Sequence, residues 1–482
     1  SATLSKPMAH CRFIDFDITI HGQQAPYLVH AAYAQHTAVG QFAIDATQPA
    51  WMGYLETLAR GRGAADHAFL ESIGAQLYAS LFQGHVRDLW TRAHADLDHD
   101  RASTCVRLLA QPPAVAALPW EALFDPERKL ALAGSLQTPL VRVENLLQYV
   151  GRVRTLATTL PLRLLIATPE DPTQQIDGAA EAARLTAALG TWVGRYVQIS
   201  VMNGRFDVVT MRQRIAHFQP DIVHLVTHGQ PDGVLLWQHD APIIAPAGAL
   251  RVAFEGAHSV KLVVLNACAT GQGSLSSSLA SVGAQLLQTG APAIIAMRYD
   301  IEEEIASDFA EFFYQELFGG QCPGVVPRAV SYARSNLYAL HPDQVGYTTP
   351  VLWLNATDGA IFEMERLPMS PVPTNRPTTP AHEPDFKPLR RQRQEVEAWY
   401  ASVVSLSTTP LPVALRATIQ RPLQDALQEV DDLLVQLQSL DAEPVTDHVF
   451  KQYEEKLARI IANQNTVNRL AAVIRQQQER PH

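Results

Sequence analysis

Apolar positions along this chain follow two periods, and the change of period divides it. In residues 156–366, short β-branched runs alternate with stretches of helical period. Leu162 to Ala167, Val197 to Met202, Ile222 to Val226, Leu262 to Leu265, Ala293 to Met297 and Val351 to Leu354 predict strands. Gly178 to Leu189, Asp207 to His217, Ala245 to Phe254, Ser277 to Leu287, Glu302 to Leu317 and Val325 to Leu340 predict helices between them. Unbroken apolar runs are those of strands buried on both faces. Their alternation with helices predicts an α/β fold with a doubly wound, mostly parallel sheet.

The flanking regions read differently. Residues 12–155 predict an α+β subdomain. Strands are expected at Phe13 to Ile20, Tyr27 to Tyr33 and Cys105 to Leu109, and helices at Ala65 to Phe82 and Val86 to Ala95. Pro119 in Leu118-Pro119-Trp120-Glu121 suits the first turn of a short helix. Residues 367–388 contain seven prolines, the composition of a semi-rigid extended linker. Residues 389–482 return to helical period. Leu423, Leu427, Val430, Leu434 and Leu437 are spaced 4, 3, 4, 3, and a second such series runs from Phe450 through Gln464 to Ile474. With Asp441 to Pro444 as a turn, they predict an antiparallel hairpin, joined by a third helix from Leu389 to Val404, in an all-α module.

At 482 residues with 47% hydrophobic and 18% charged content, the chain is that of a soluble multidomain protein. Its net charge of −10 argues against nucleic-acid binding. No apolar run is long enough to span a membrane, and Ser1 to Arg12 shows no signal-peptide core. Four cysteines (Cys11, Cys105, Cys268, Cys322) do not make a disulfide framework. A cytoplasmic protein is expected.

Two of the strands carry chemistry. Ile222-Val223-His224-Leu225-Val226-Thr227-His228-Gly229 ends in a histidine, and Leu262-Val263-Val264-Leu265-Asn266-Ala267-Cys268-Ala269 ends in a cysteine. In an open α/β sheet, substrates bind outside the carboxyl ends of the strands. Neighbouring strands would bring imidazole and thiol to one crevice, as a nucleophile and its base. The backbone N–H groups of Gly229 and Cys268 are candidates for an oxyanion hole. A third catalytic group is not readable from the sequence. His224 and His228 are four apart, but on a strand that spacing separates them by about 13 Å. No metal or cofactor is expected, and His224 reads either as a core residue or as one that supports the site residues from behind.

The stretch from Asp15 to Phe362 resembles the CHAT peptidases, caspase-like proteins related to separase and to the clostripain and gingipain group. The resemblance rests on Leu118-Pro119-Trp120-Glu121, Pro161 to Leu165 with Glu181 to Leu185, Val223-His224 to His228-Gly229, Asn266-Ala267-Cys268, Gly290 to Met297 and Phe309 to Gly319. Thr227 departs from it, standing where many members have glycine. The resemblance implies a caspase-like fold and peptide-bond hydrolysis by His228 and Cys268. It also implies roles in defence or regulated proteolysis, with gasdermins as substrates of some members. In separase-like relatives an acidic residue after the strand that follows the cysteine strand reads a basic P1 side chain, which makes Asp300 the S1 candidate. The competing role for Asp300 is an N-cap for the helix after it.

These readings combine into a cysteine endopeptidase acting on proteins after Arg or Lys. Its helical tail would serve a regulatory partner or homo-oligomer. The rival reading is a catalytically silent caspase-like scaffold or sensor. A nucleotide-binding protein is disfavoured, because the chain lacks phosphate-loop motifs.

Overall fold

The computed structural model describes residues 13–59, 65–100, 103–144, 159–173, 176–230, 233–269, 279–299, 302–341, 345–356, 359–364 and 419–440, with parts of 393–404 and 456–474. The chain divides into two compact units, Ser1–Ser370 and Pro371–His482.

The first unit is built on one 13-stranded sheet. Its amino-terminal strands are β1 (Phe13–His21), β2 (Tyr27–Tyr33), β3 (His36–Phe42), β4 (Ser103–Ala110) and β7 (Leu140–Arg142), with a separate small pair, β5 (Phe124–Asp125) and β6 (Leu130–Ala131). Then follow β8 (Leu162–Pro169), β9 (Val197–Gly204), β10 (Ile222–Gln230), β11 (Gly233–Gln238), β12 (Ala241–Pro246), β13 (Leu262–Ala269), β14 (Ala293–Met297) and β15 (Pro350–Leu354). The path across the sheet is β12-β11-β10-β13-β14-β15-β7-β4-β1-β2-β3, with β8 on β10 and β9 on β8. Strands β9, β8, β10, β13 and β14 are mutually parallel. The fold class is the α/β one that the periodicity predicts.

Among the described residues, ten helices accompany the strands: α1 (Pro49–Ala59), α2 (His67–Leu81), α3 (Gly84–Asp100), α4 (Pro113–Ala116), α5 (Gly178–Ala188), α6 (Val208–Phe218), α7 (Ala247–Phe254), α8 (Leu279–Leu286), α9 (Glu303–Gly319) and α10 (Val326–Leu340). Alternation along the central strands sorts them onto two faces. Leu164, Ile166, Ile222, Leu262, Val264 and Ile295 pack with α5, α9 and α10. Leu165, Val223, Leu225, Val263, Leu265 and Ile294 pack with α6, α7 and α8. Helix starts follow their caps: Asp177 accepts from Ala180 N and Asp207 from Thr210 N. Gly290, at φ +90°, stops the turn before β14 where a side chain would be strained.

Several elements differ from the expectation. The stretch before α7 is not yet helical: Ala245 pairs with Val234 in a hairpin of β11 and β12. Its turn residues His239 and Asp240 take φ of +48° and +61°. A two-residue turn of that hand is normally signalled by glycine, so the sequence hides it. Strand β3 and helix α1 were not expected either. Cys322 is disulfide-bonded, although four cysteines do not make a disulfide framework, while Cys105 is a free, buried thiol.

In the second unit, helix Arg421–Leu440 buries Leu423, Leu427, Val430, Leu434 and Leu437. These are the positions the spacing selects. Ile460 shares a cluster with Val430 and Leu437, and Val467 and Ile474 share one with Leu423 and Leu427. The proline-rich segment, Asp441 to Pro444 and Gln464 lie outside the described residues.

Candidate active site

The chain leaves β8 for β9 through α5, then crosses back to β10 on the other side of β8. The order therefore reverses between β8 and β10, the place where open α/β sheets form a crevice. Strand β10 pairs with β8 only from Ile222 to Leu225, and its far end, Gly229 and Gln230, pairs with β11 instead. Between these neighbours the carboxyl end of β10 delivers His228.

On its other side β10 runs parallel to β13 with His228 opposite Cys268 and Gly229 opposite Ala269. Adjacent strands lie about 4.8 Å apart, so backbone register alone makes residues 228 and 268 neighbours. Gly229 is a strand residue paired on both sides, to Ala269 and Val234, rather than the start of a loop.

The structure adds a residue the sequence did not reveal. His228 Nε2 lies 2.8 Å from Asp171 Oδ2, both side chains being almost fully buried, at 6% and 3% exposed. Asp171 follows the end of β8 in a turn that wraps its carboxylate. Thr173 N donates to Oδ1 at 2.8 Å, Thr173 Oγ1 at 2.7 Å, and Ile176 N donates to Oδ2 at 2.9 Å. Burial pushes the Asp171 carboxyl up, but the bonds from Thr173, His228 and Ile176 outweigh it and hold it well below the usual range. The carboxylate stays ionised and faces His228 Nε2. Nδ1 has no hydrogen-bond partner among the described residues. Thr173 Oγ1 also stands 3.4 Å from Nε2.

The turn that carries Asp171 is itself anchored. Glu170 N donates to Gly204 O at 2.9 Å, and Trp237 Nε1 donates to Glu170 O at 2.8 Å. The Glu170 carboxylate takes two bonds of 3.0 Å from Arg205, whose guanidinium lies 4.3 Å above the Trp237 ring.

His224 sits on the face of α9, with Nδ1 3.0 Å from the Tyr314 hydroxyl. Burial pushes its pKa down to about 3, so it is a neutral core residue. Asn266 donates to Ala306 O of α9 at 3.4 Å. Asp300 lies outside the described residues. The N-cap position of α9 is Glu302, with no side-chain bond to the helix. Among the described residues no cluster of three metal-ligating side chains occurs, and no helix is long and apolar enough to cross a membrane.

The sequence profile of the CHAT domain matches residues 72–402. The chain belongs to the CHAT-domain family. The match begins inside α2 and ends beyond the proline-rich segment, so the CHAT region starts later and reaches further than the resemblance from Asp15 to Phe362. Both strands of the candidate site lie within it. No curated protein matches the chain. Among solved structures, a chain of the Saccharomyces cerevisiae separase–securin complex is similar at 14% identity with a TM-score of 0.31, over 55% of this chain. The match spans 17% of that separase chain.

Proposed function

We propose that this CHAT protein is a caspase-like cysteine endopeptidase in which His228 and Cys268 form the catalytic pair and Asp171 orients the histidine. The observation that carries the reading is the in-register opposition of His228 and Cys268 beside a buried carboxylate, at the point where the strand order reverses.

The chemistry follows from the atoms. His228 Nδ1 takes the proton of the Cys268 thiol, and the thiolate attacks the carbonyl carbon of the scissile peptide. The N–H groups of Cys268 and Gly229 are the proposed donors to the oxyanion. Collapse of the intermediate breaks the C–N bond, and the imidazolium returns its proton to the leaving amine. Water then adds to the thioester, with the same nitrogen as base, and releases the acid and the thiol. Asp171 stabilises the imidazolium and remains ionised throughout, as in related triads.

The basic P1 preference rests on Asp300, since a carboxylate in a pocket pairs well with a guanidinium. Protein substrates such as gasdermins, a role in bacterial defence, and control by a partner through the helical unit are proposed from the CHAT resemblance. The disulfide at Cys322 weakens the expectation of a reducing cytoplasm. A peptide-library assay of the purified chain tests the reading. Cleavage after Arg that is lost in Cys268→Ala supports it. A wild-type chain that binds protein but cleaves none of the library under any trigger returns the scaffold reading.

A further inference from the structure

Strand β11 is tied to both members of the His228–Asp171 pair. It takes over the flank of β10 where β8 leaves it. Pairing of β8 with β10 ends at Ala167 opposite Leu225, and Val234 of β11 then stands opposite Gly229, the residue after His228. Val234 and Leu236 pack in the same cluster as Val223 and Leu225. Alternation therefore puts Trp237 on the sheet face that carries His228. From there the buried indole reaches the turn after β8. Its Nε1 donates at 2.8 Å to the carbonyl oxygen of Glu170, the residue before Asp171. The main chain is pinned on both sides of this bond. Trp237 N donates to Phe206 O at 3.0 Å, and Glu170 N donates to Gly204 O at 2.9 Å. The Arg205 guanidinium lies 4.3 Å from the centre of the indole and forks onto the Glu170 carboxylate through two bonds of 3.0 Å.

Two sets of bonds thus fix Asp171. Those from Thr173 and Ile176 hold its carboxylate within the turn and move with the turn. Those that tie the turn to the sheet pass through Glu170, and the one from Trp237 leads to the strand paired beside His228. Loss of that N–H would leave a part-buried carbonyl short of its donor. The Arg205–Glu170 pair is about half exposed and contributes little alone, but its fork clasps the turn against the ring. We infer that Trp237 is a positioning residue that sets the approach of Asp171 to His228, with Arg205 as its brace. The inference rests on the peptidase reading above and adds β11 to the two strands that carry the catalytic pair.

Two variants of the full chain test it. Trp237→Phe keeps an aromatic ring and loses the N–H. Arg205→Ala removes the brace from an exposed position, and it carries the same tests should Trp237→Phe melt early. The first readout is a kinetic cycle with Asp171→Asn, on a peptide that the wild type cleaves. We expect Trp237→Phe to lower kcat on the order of tenfold to a hundredfold with KM little changed, because small misplacements of a catalytic group have effects of this size. Arg205→Ala should lower it less and in the same direction. In the Asp171→Asn background neither change should lower kcat further, since residues that act through one another are not additive. An unchanged kcat in both variants, or a loss that recurs undiminished in that background, overturns the inference. The second readout is amide hydrogen exchange, which needs no turnover. The N–H groups of Thr173 and Ile176 should exchange faster in the variants, with those of Val223 to Leu225 as in the wild type. A wild-type chain that cleaves no peptide defeats the peptidase reading instead. Exchange then decides the placing of Asp171 alone: faster exchange at Thr173 and Ile176 upholds it, and unchanged exchange rejects it.

Discussion

Asp171 Oδ2 lies 2.8 Å from His228 Nε2, and the carboxylate is held from its other sides by Thr173 and Ile176. In the proposed mechanism this contact holds the histidine with Nε2 toward the carboxylate and Nδ1 as the base. Asp171→Asn would offer an amide N–H where the acceptor stood and favour the opposite tautomer. We expect kcat to fall on the order of 10² to 10⁴, the usual worth of a positioned acid–base group, with KM little changed. Steady-state kinetics on the variant check this. A kcat within a few-fold of the wild type would remove Asp171 from the mechanism.

The pair itself is tested by deletion of either group. Cys268→Ala and His228→Ala should each abolish turnover while leaving the circular dichroism and thermal melt close to those of the wild type, since both residues stand at the carboxyl ends of their strands. Alkylation by iodoacetamide should select Cys268. Cys105 is buried, which pushes its thiol pKa up, and Cys322 is disulfide-bonded. Peptide mapping that finds Cys105 labelled first would contradict the assignment.

Specificity gives a third test. If Asp300 reads P1, Asp300→Ala should cost cleavage after Arg about 3 to 5 kcal/mol for a desolvated pair. The melting temperature should stay put, because the N-cap position of α9 is Glu302. Cleavage after Leu or Asp by the wild-type enzyme would rule this out.

The pH dependence of stability is a fourth. His224 is fully buried and its folded pKa, about 3, lies below its ordinary 6.5. Its neutral form therefore stabilises the fold above pH 6.5, and that contribution is lost as the pH falls from 6.5 toward 3. The slope from this one group is at most about 1.4 kcal/mol per pH unit. His224→Phe removes the group and keeps the ring volume. Urea midpoints at pH 7 and pH 4 should differ less in the variant than in the wild type. Parallel curves would show that His224 does not titrate on unfolding.

A fifth concerns the two compact units. A chain ending at Ser370 should remain folded and monodisperse, because the first unit holds its own cores. Aggregation of that fragment in size-exclusion chromatography would show that the helical unit is needed for its stability.

The adjacency of His228 and Cys268 was legible because each ends an apolar run, and such runs pair as neighbouring parallel strands. The helical seam from Leu423 to Leu437 was legible because a single helix writes its period directly into the sequence. Asp171 was not, since its turn, Glu170-Asp171-Pro172-Thr173, looks like any loop until β8 is known to lie beside β10. The pairing of Glu121 with Arg142 and Arg298 was hidden for the same reason: it joins segments brought together only by strand order. The hairpin of β11 and β12 escaped because His239 and Asp240, not glycine, take the left-handed turn. Local periodicity gives elements; tertiary adjacency gives the partners of a charged side chain.

The great sheet has a narrow waist. Strand β15 meets β7 at one paired position, Trp353 with Arg142, whereas β4 and β1 share eight. Arg142 stands on that single rung and also grips Glu121. A ladder with one rung resists shear poorly, so under load the molecule should yield there before either broad half does. The ionic clasp of Glu121 with Arg142 on one side and Arg298 on the other then acts as the rivet across the waist. In a pulling experiment with handles on β2 and β9, Glu121→Gln would lower the first rupture force and leave the later ones as they were.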